Sequence, residues 1–503
     1  MTQSRRKFLR DSACGLTAAA MVSSLDRLNL VNAMIPPAAS DYRALVCIFL
    51  SGGSDCNNMI IPFDDYNGGY SSARTASGLA IPQSALTNTK ITPSNTSSVA
   101  FALHPNLSPE ANNAGAGKGL LDIWTAGKLA VLCNYGSLVQ PITRAQYQAN
   151  IGRPYQLFSH SDQVAQQQTS IANTVGQTGW GGRIADKTGS LNGTVALPMN
   201  ISVAGTSLFS TGVTSRQLAI SSNGTLANVL VLSWSGPSAG NPNTAGSSYR
   251  QLLGFDQNSF LIKGTSDTTN QALTADASLN QPDPTIPTPP NTTVFPGTSI
   301  GNQLKQVAKL IKLKDAVGIT MKRQIFFCTL GGFDTHTNET GSNPTNPAGG
   351  GANSGNQGSL MTQLSQAMRA FYDEMVAQGN SNSVTTFTLS DFGRTLQPSG
   401  SGSASVGSDH AWGSHAFIMG GAVLGNKFYG SFRPDGTGTP YGYPTLALNG
   451  PDDTDNRGRW IPTTSVDQYA ATLARWYGLD PLDIPVVFPS LSKFATGNLG
   501  FLT

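Results

Sequence analysis

Five apolar runs that do not alternate decide what this chain can fold into. They lie at residues 43–50, 129–135, 324–330, 384–389 and, more briefly, 416–421. A strand that is apolar at successive positions is buried on both faces, the situation in a parallel sheet covered by helices on each side. Helical periodicity falls between these runs, at 117–126, 300–317, 359–377 and 465–477, with Ser465 a candidate N-cap for the last. The alternation predicts an α/β fold, an α/β/α sandwich with a mostly parallel central sheet. Residues 190–297 read differently. They are rich in Ser, Thr, Asn and Gly, with short β-like pieces at 200–205 and 226–234 and a Pro-rich connector at 281–296. This stretch is expected to be a polar, β-containing insertion or cap within one domain spanning 40–503, an independent second domain being the alternative.

The first 33 residues are expected to lie outside that domain. Arg5 and Arg6 precede Phe8 and Leu9, an apolar run follows Cys14, and Val31-Asn32-Ala33 offers a small-residue cleavage site. That order is the signature of a twin-arginine export signal, so the twin-arginine machinery is an expected partner and the mature chain is expected to be periplasmic or secreted. Removing 1–33 takes five of the 31 basic and two of the 28 acidic residues, leaving 26 of each. With no basic field, nucleic acid is not an expected partner. No later stretch reaches the roughly 18 apolar residues of a membrane span, so no transmembrane anchor is expected. Cys47, Cys56, Cys133 and Cys328 remain, and three of them sit inside apolar runs. Buried free thiols are the expectation, a disulfide being the alternative that the compartment allows.

In parallel α/β sheets ligands bind beyond the carboxyl ends of the strands. Three of the runs exit into a short turn that carries an aspartate: Asp55 after Ser51-Gly52-Gly53, Asp334 after Gly331-Gly332, and Asp391 after Ser390. Three carboxylates gathered at one edge repel unless a cation neutralises them. The chain has five histidines, all in segments dense in Asp, Ser, Gly or Asn. His336 follows Asp334 by two residues, and His410 and His415 share one loop. With Asp55, Asp334 and Asp391 they make a set of hard O and N donors for one or two divalent ions, of Zn, Mn, Mg, Ca or Fe type. Turn or helix-cap roles for Asp55 and Asp391 are the competing explanation. His104, in Leu-His-Pro-Asn, reads as structural.

The segments FLSGGSDCNNMIIP, SHSDQ with GWGGRIAD, GGFDTHTN, TTFTLSDFGRTL, GSDHAWGSHAFIMGGAV and RWIPTTSVDQYAATLARWYGL resemble the exported family described as domain of unknown function 1501, placed in the alkaline phosphatase/sulfatase superfamily. The resemblance implies an alkaline-phosphatase-like scaffold, a two-metal site and an activated hydroxyl. It assigns Asp55 and Asp391 to the first-strand and late-strand aspartates, Asp334 and His336 to an Asp/His pair, and His410 or His415 to a distant histidine. Phe392 stands where the superfamily carries a histidine, which puts the metal count in question. Ser159, at the start of a Gln-rich helical stretch, is the first-choice nucleophile and Ser161 the second; an ordinary N-cap is the competing role. Arg394 and Asn57 are the groups expected to hold developing oxyanion charge, and Arg394 pairing with a carboxylate is the alternative.

Three further motifs are discounted. Gly297-Thr-Ser-Ile-Gly301 lacks a preceding buried strand, so Ser299 reads as a helix N-cap and not as a hydrolase nucleophile. Residues 114–120 lack P-loop spacing. Asp452-Asp-Thr-Asp-Asn456 lacks an EF-hand series and reads as a solvated loop. The expected function is a metal-dependent hydrolase of phosphate or sulfate esters, in which an activated Ser or a metal-bound water attacks a small-molecule or glycan ester. A non-catalytic exported metal- or glycan-binding protein on the same scaffold is the alternative.

Overall fold

The computed structural model describes residues 42–107, 119–195, 197–222, 245–279, 293–315, 319–340, 356–400 and 406–503. Residues 1–33, expected from sequence to be an export signal, and residues 226–234, 281–292 and 114–118 lie outside them.

Among the described residues, nine strands build one sheet. They are β1 (Arg43–Ser51), β2 (Leu129–Gly136), β3 (Asn200–Ser202), β4 (Gln217–Ala219), β5 (Arg323–Gly331), β6 (Val384–Ser390), β7 (Ser414–Met419), β8 (Phe428–Tyr429) and β9 (Thr464–Ser465). Their order is β8-β2-β7-β6-β1-β5-β3-β4, with β9 alongside β2. Every pairing is parallel except those of β7, which runs against both β2 and β6. The sequence marked the run that becomes β7, but not its direction. β3 and β4 extend the sheet past β5, so this part of the polar 190–297 stretch belongs to the sheet edge.

β1 shows why the runs do not alternate. Ala44, Val46, Ile48 and Leu50 pack into one core, while Leu45, Cys47 and Phe49 pack into the other. Successive strand residues point to opposite faces, and helices cover both. On the first face lie α3 (Ser299–Lys312) and α4 (Asn356–Ala377), through Leu304, Val307, Leu364 and Phe371. On the second lie α2 (Trp180–Thr188) and α5 (Val466–Tyr477), through Trp180, Ile184, Tyr469 and Leu473. A further helix, α1 (His160–Thr169), leads into α2. The chain is therefore an α/β/α sandwich with a mostly parallel sheet. Cys47, Cys56, Cys133 and Cys328 are free and buried in it.

Helix ends follow local chemistry. Ser465 caps α5, accepting from the Gln468 N–H, while the Gln468 side chain returns to the Ser465 N–H. Gly478, at φ 106°, closes the other end. For α3 the cap is Thr298, which accepts from Gly301 N–H, so Ser299 is the first helical residue and not the cap. The Asp452-Asp453 segment is no solvated loop. Asp453 is fully buried and accepts the N–H groups of Asn449, Asp455, Gly458 and Arg459, and Asp452 takes the Arg433 guanidinium.

The second residue of α5 gives a testable pH dependence. Burial lifts the Asp467 carboxyl to about 7, against the opposing pull of Ser170 and Arg183. The folded pKa then lies above the unfolded value of about 3.9. The folded state therefore holds the proton more tightly, and stability present below about pH 4 is lost as pH rises through 7. Asp467→Asn should match wild type near pH 4 and exceed it by on the order of 4 kcal/mol at pH 8. A gain independent of pH, measured by thermal melts, would contradict this origin.

Candidate metal centre

The three Asp-bearing exits are neighbours because β6, β1 and β5 lie side by side in register: Leu50 pairs with Ser390, and Ser51 with Gly331. Beyond β1 the chain turns sharply at Gly52 and Gly53, with φ of 114° and 82°. A Cβ on Gly52 would lie 2.4 Å from the Asp334 nitrogen, and one on Gly53 would lie 2.5 Å from the Phe392 ring. Glycine is required here both for its φ and for the close approach of β5's exit. The Gly52 N–H donates to Asp391 Oδ1 at 3.0 Å.

Over these exits four side chains converge. His160 is the first residue of α1. Asp334 and His336 follow β5. His410 ends the antiparallel hairpin formed by Arg394–Ser399 and Gly407–His410. Donor atoms of His160, Asp334 and His410 all lie within 4.8 Å of one another, a group that could hold a metal ion. From Asp334 Oδ1, the Nε2 atoms of His336, His160 and His410 lie at 3.3, 3.5 and 3.7 Å. His336 Nε2 and His410 Nε2 are 2.9 Å apart.

The other ring nitrogens fix the tautomers. His160 Nδ1 lies 2.8 Å from Asp391 Oδ2, His336 Nδ1 3.1 Å from Asp409 Oδ1, and His410 Nδ1 2.8 Å from the Phe158 carbonyl. Each partner is an acceptor, so each Nδ1 carries the proton and each Nε2 presents a lone pair. Phe158 holds its carbonyl there with φ at 69°, a left-handed conformation costly for a bulky residue. His160 Nε2 is buried and has no hydrogen-bond partner. Three imidazole lone pairs facing one carboxylate, two of them 2.9 Å apart, repel without a cation among them. The separations among His160, Asp334 and His410 suit a coordination shell with ligand bonds of about 2.0–2.2 Å, and His336 borders it, 3.3 Å from Asp334 and 2.9 Å from His410. The residues present therefore fit a divalent ion. Neutral imidazoles oriented by carboxylates and a carbonyl are the usual arrangement around bound metals.

The electrostatics agree. Burial works against an ionised Asp334, but the hydrogen bond and charge of Arg394, with His160 and His336 beside it, hold its carboxyl below the usual value. Burial lowers His410, keeping it in the neutral, ligating form. Phe392 packs its ring 4.8 Å from His160 and 4.7 Å from His410, forming an apolar floor. The ligand side chains are a quarter to a half exposed, so the centre opens to solvent.

Other expected residues lie elsewhere or act differently. Asp55 does not join the cluster. It is fully buried, caps the Cys56–Met59 turn by accepting from the Asn57 N–H, and is gripped through both oxygens by Arg74, at 2.5 and 3.0 Å. A tethered guanidinium thus occupies the carboxylate that was expected to hold an ion. Asp391 touches the cluster through His160 Nδ1. His415 is buried, its Nδ1 accepts from the Asn134 N–H, and its ring stacks on Tyr443. Burial pushes it down to about 3, and none of these contacts reaches the cluster. Ser159 is the residue before α1, and its Oγ donates to Asp162 at 2.5 Å; Ser161 Oγ lies 3.2 Å from it. Asn57 spends its amide on Asp55, the Arg394 carbonyl and Trp460 Nε1. Arg394 is fully buried and donates to the carbonyls of Gly52, Gly53, Phe333 and Ser408 as well as to Asp334. These contacts make it a rivet among the exits. His104 is buried, pushed down to about 4 by desolvation, and accepts from the Asn106 N–H.

Sequence reasoning missed His160 as a ligand, and missed Asp409, Arg74 and Glu339 altogether. The signal for His160 was its own segment, Phe-Ser-His-Ser-Asp, in which the flanking serines drew attention first. The orienting role of Asp391 is directly testable. Asp391→Ala frees the His160 ring and is expected to weaken metal binding about 10- to 100-fold, measured by competition with a chelating dye. Unchanged affinity would show that His160 needs no such partner.

The model of the family described as "Protein of unknown function (DUF1501)" matches residues 313–442, which include Asp334, His336, Asp391, Arg394, Asp409 and His410. No curated protein matches the chain in sequence. Among solved structures, a mutant of the alkaline phosphatase PafA shares 10% identity, covering 71% of this chain and 64% of its own, with a TM-score of 0.20. The chain thus spans less than two thirds of that enzyme's length. A likeness of this degree carries no weight for activity.

Proposed function

We propose that this chain is a metal-dependent hydrolase of phosphate or sulfate esters, built on an alkaline-phosphatase-like scaffold and exported by the twin-arginine route. The observation that carries the reading is the convergence of three imidazole lone pairs on Asp334 at a solvent-open strand edge. His160, Asp334 and His410, with His336 beside them, would hold a divalent cation there, which would supply Lewis acidity toward an ester oxygen and a water. The protein orients the ligands through Asp391, Asp409 and the Phe158 carbonyl. Arg457 pairs with the far oxygen of Asp409, the carboxylate that orients His336. Arg459 holds the His410 carbonyl and lies over Phe158. In this reading water attacks, because the Ser159 hydroxyl is committed to Asp162. The export reading rests on residues 5–10 and 31–33.

Four protein donors are enough to fill a tetrahedral shell, which favours a second reading: a metal-bearing binding protein without turnover. Elemental analysis of the purified chain, together with a panel of aryl phosphate mono- and diesters and sulfates, separates the two. The hydrolase reading expects about one divalent ion per chain, turnover abolished by chelation, and none in Asp334→Ala. One ion with no turnover across the panel supports the binding protein.

A further inference from the structure

We infer that Glu339 is a positioning residue of the metal centre, clamping the segment that carries Asp334 and His336 to the strand that carries His410. The inference rests on reading the cluster as a metal centre. Glu339 is fully buried three positions beyond His336. Its Oε2 accepts from Ser408 Oγ at 2.5 Å and from Thr335 Oγ1 at 3.2 Å. Thr335 sits between Asp334 and His336, and Ser408 lies two residues before His410. One carboxyl group therefore gathers a hydroxyl from each ligand-bearing segment.

The backbone repeats the connection. The Glu339 N–H donates to the Val406 carbonyl at 3.0 Å, and the Ser408 N–H to the Thr335 carbonyl at 3.1 Å. A Cβ on Gly407 would lie 2.1 Å from the Thr335 oxygen, so the two segments meet with no side chain between them. Glu339 also meets the Asp55 carboxyl, which Arg74 holds. Two buried carboxyls in contact hold one proton between them; burial and the Asp55 charge keep it on Glu339. Its Oε2 still accepts from both ligand segments. His336 Nε2 and His410 Nε2 sit 2.9 Å apart, a spacing that small relative movement of the two segments would destroy.

Cobalt(II) binding to the full chain, read by visible absorption and by dye competition, tests this without reference to activity. Glu339→Leu should weaken Co(II) binding about 10- to 100-fold and alter the spectrum of what does bind. Glu339→Gln keeps a donor and an acceptor, and should stay within about threefold of wild type with the same spectrum. Phe209→Leu, in the core packed on Trp180, controls for lost stability and should leave affinity unchanged. Wild-type affinity and spectrum in Glu339→Leu overturn the inference, as does an equal loss in Glu339→Gln or Phe209→Leu. If Glu339→Leu does not fold, the double variant Thr335→Val, Ser408→Ala removes both clamping hydroxyls. It should weaken binding about tenfold, and no change overturns the clamp. Failure of wild type to bind Co(II) sinks the metal centre itself, a different result from an unaffected Glu339→Leu.

Discussion

His160→Ala is expected to strip the protein of its metal, while Ser159→Ala keeps it. Loss of an outer hydrogen-bond partner costs about 10- to 100-fold in metal affinity, so loss of the ligand itself should cost about 100-fold or more. The His160 ring is held from behind by Asp391 at 2.8 Å and aims an unpartnered Nε2 at Asp334 and His410. Alanine leaves Asp391 facing empty space and the cation one donor short. The hydroxyl of Ser159 meets Asp162 and Ser161 instead of any ligand. Metal content after dialysis reports both variants. Retention of the ion in His160→Ala, or its loss in Ser159→Ala, would reverse the assignment of this segment.

Arg74→Met is expected to destabilise the fold by about 3–5 kcal/mol, the cost of leaving one partner of a buried ion pair alone. Arg74 and Asp55 are both fully buried, and the guanidinium also satisfies the carbonyls of Thr395 and Leu396. In wild type, burial opposes ionisation of Asp55, and Arg74 outweighs it, holding the carboxyl below its usual value. Remove the arginine and burial loses its largest opponent, leaving only the hydrogen bonds of Asn57 and Glu339 against it, so the folded pKa of Asp55 is expected to rise above the unfolded one. The defect is then present at neutral pH and shrinks as pH falls and Asp55 protonates. The double variant Arg74→Met, Asp55→Asn should recover most of the loss, because no unpaired charge remains. Urea midpoints at pH 5 and 8 test all three statements. A pH-independent defect, or no recovery in the double variant, would trace the loss to packing and not to charge.

The strands were legible because burial on both faces writes an unbroken apolar run, as in β1 and β5. The antiparallel sense of β7 was not, since Ala416–Met419 would read the same in either direction. Its first residues, Ser414 and His415, are polar yet buried, so the apolar run starts two residues after the strand does and ends two residues past it. The site was legible where a ligand follows a strand exit, as Asp334 and His336 do. It was illegible where the deciding partner is remote. His160 is oriented by Asp391, 231 positions away, and His336 by Asp409, 73 positions away. Nothing local says that Asp55 belongs to Arg74. Nor does sequence separate His410, whose Nε2 faces the cluster, from His415, five residues on and packed against Tyr443.

The most direct test is anomalous diffraction from crystals of the full chain grown with zinc or cobalt. The account predicts one strong peak about 2.0–2.2 Å from Nε2 of His160, His336 and His410 and from an Asp334 oxygen. A peak at Asp55 or His415, or none among these four side chains, would contradict it.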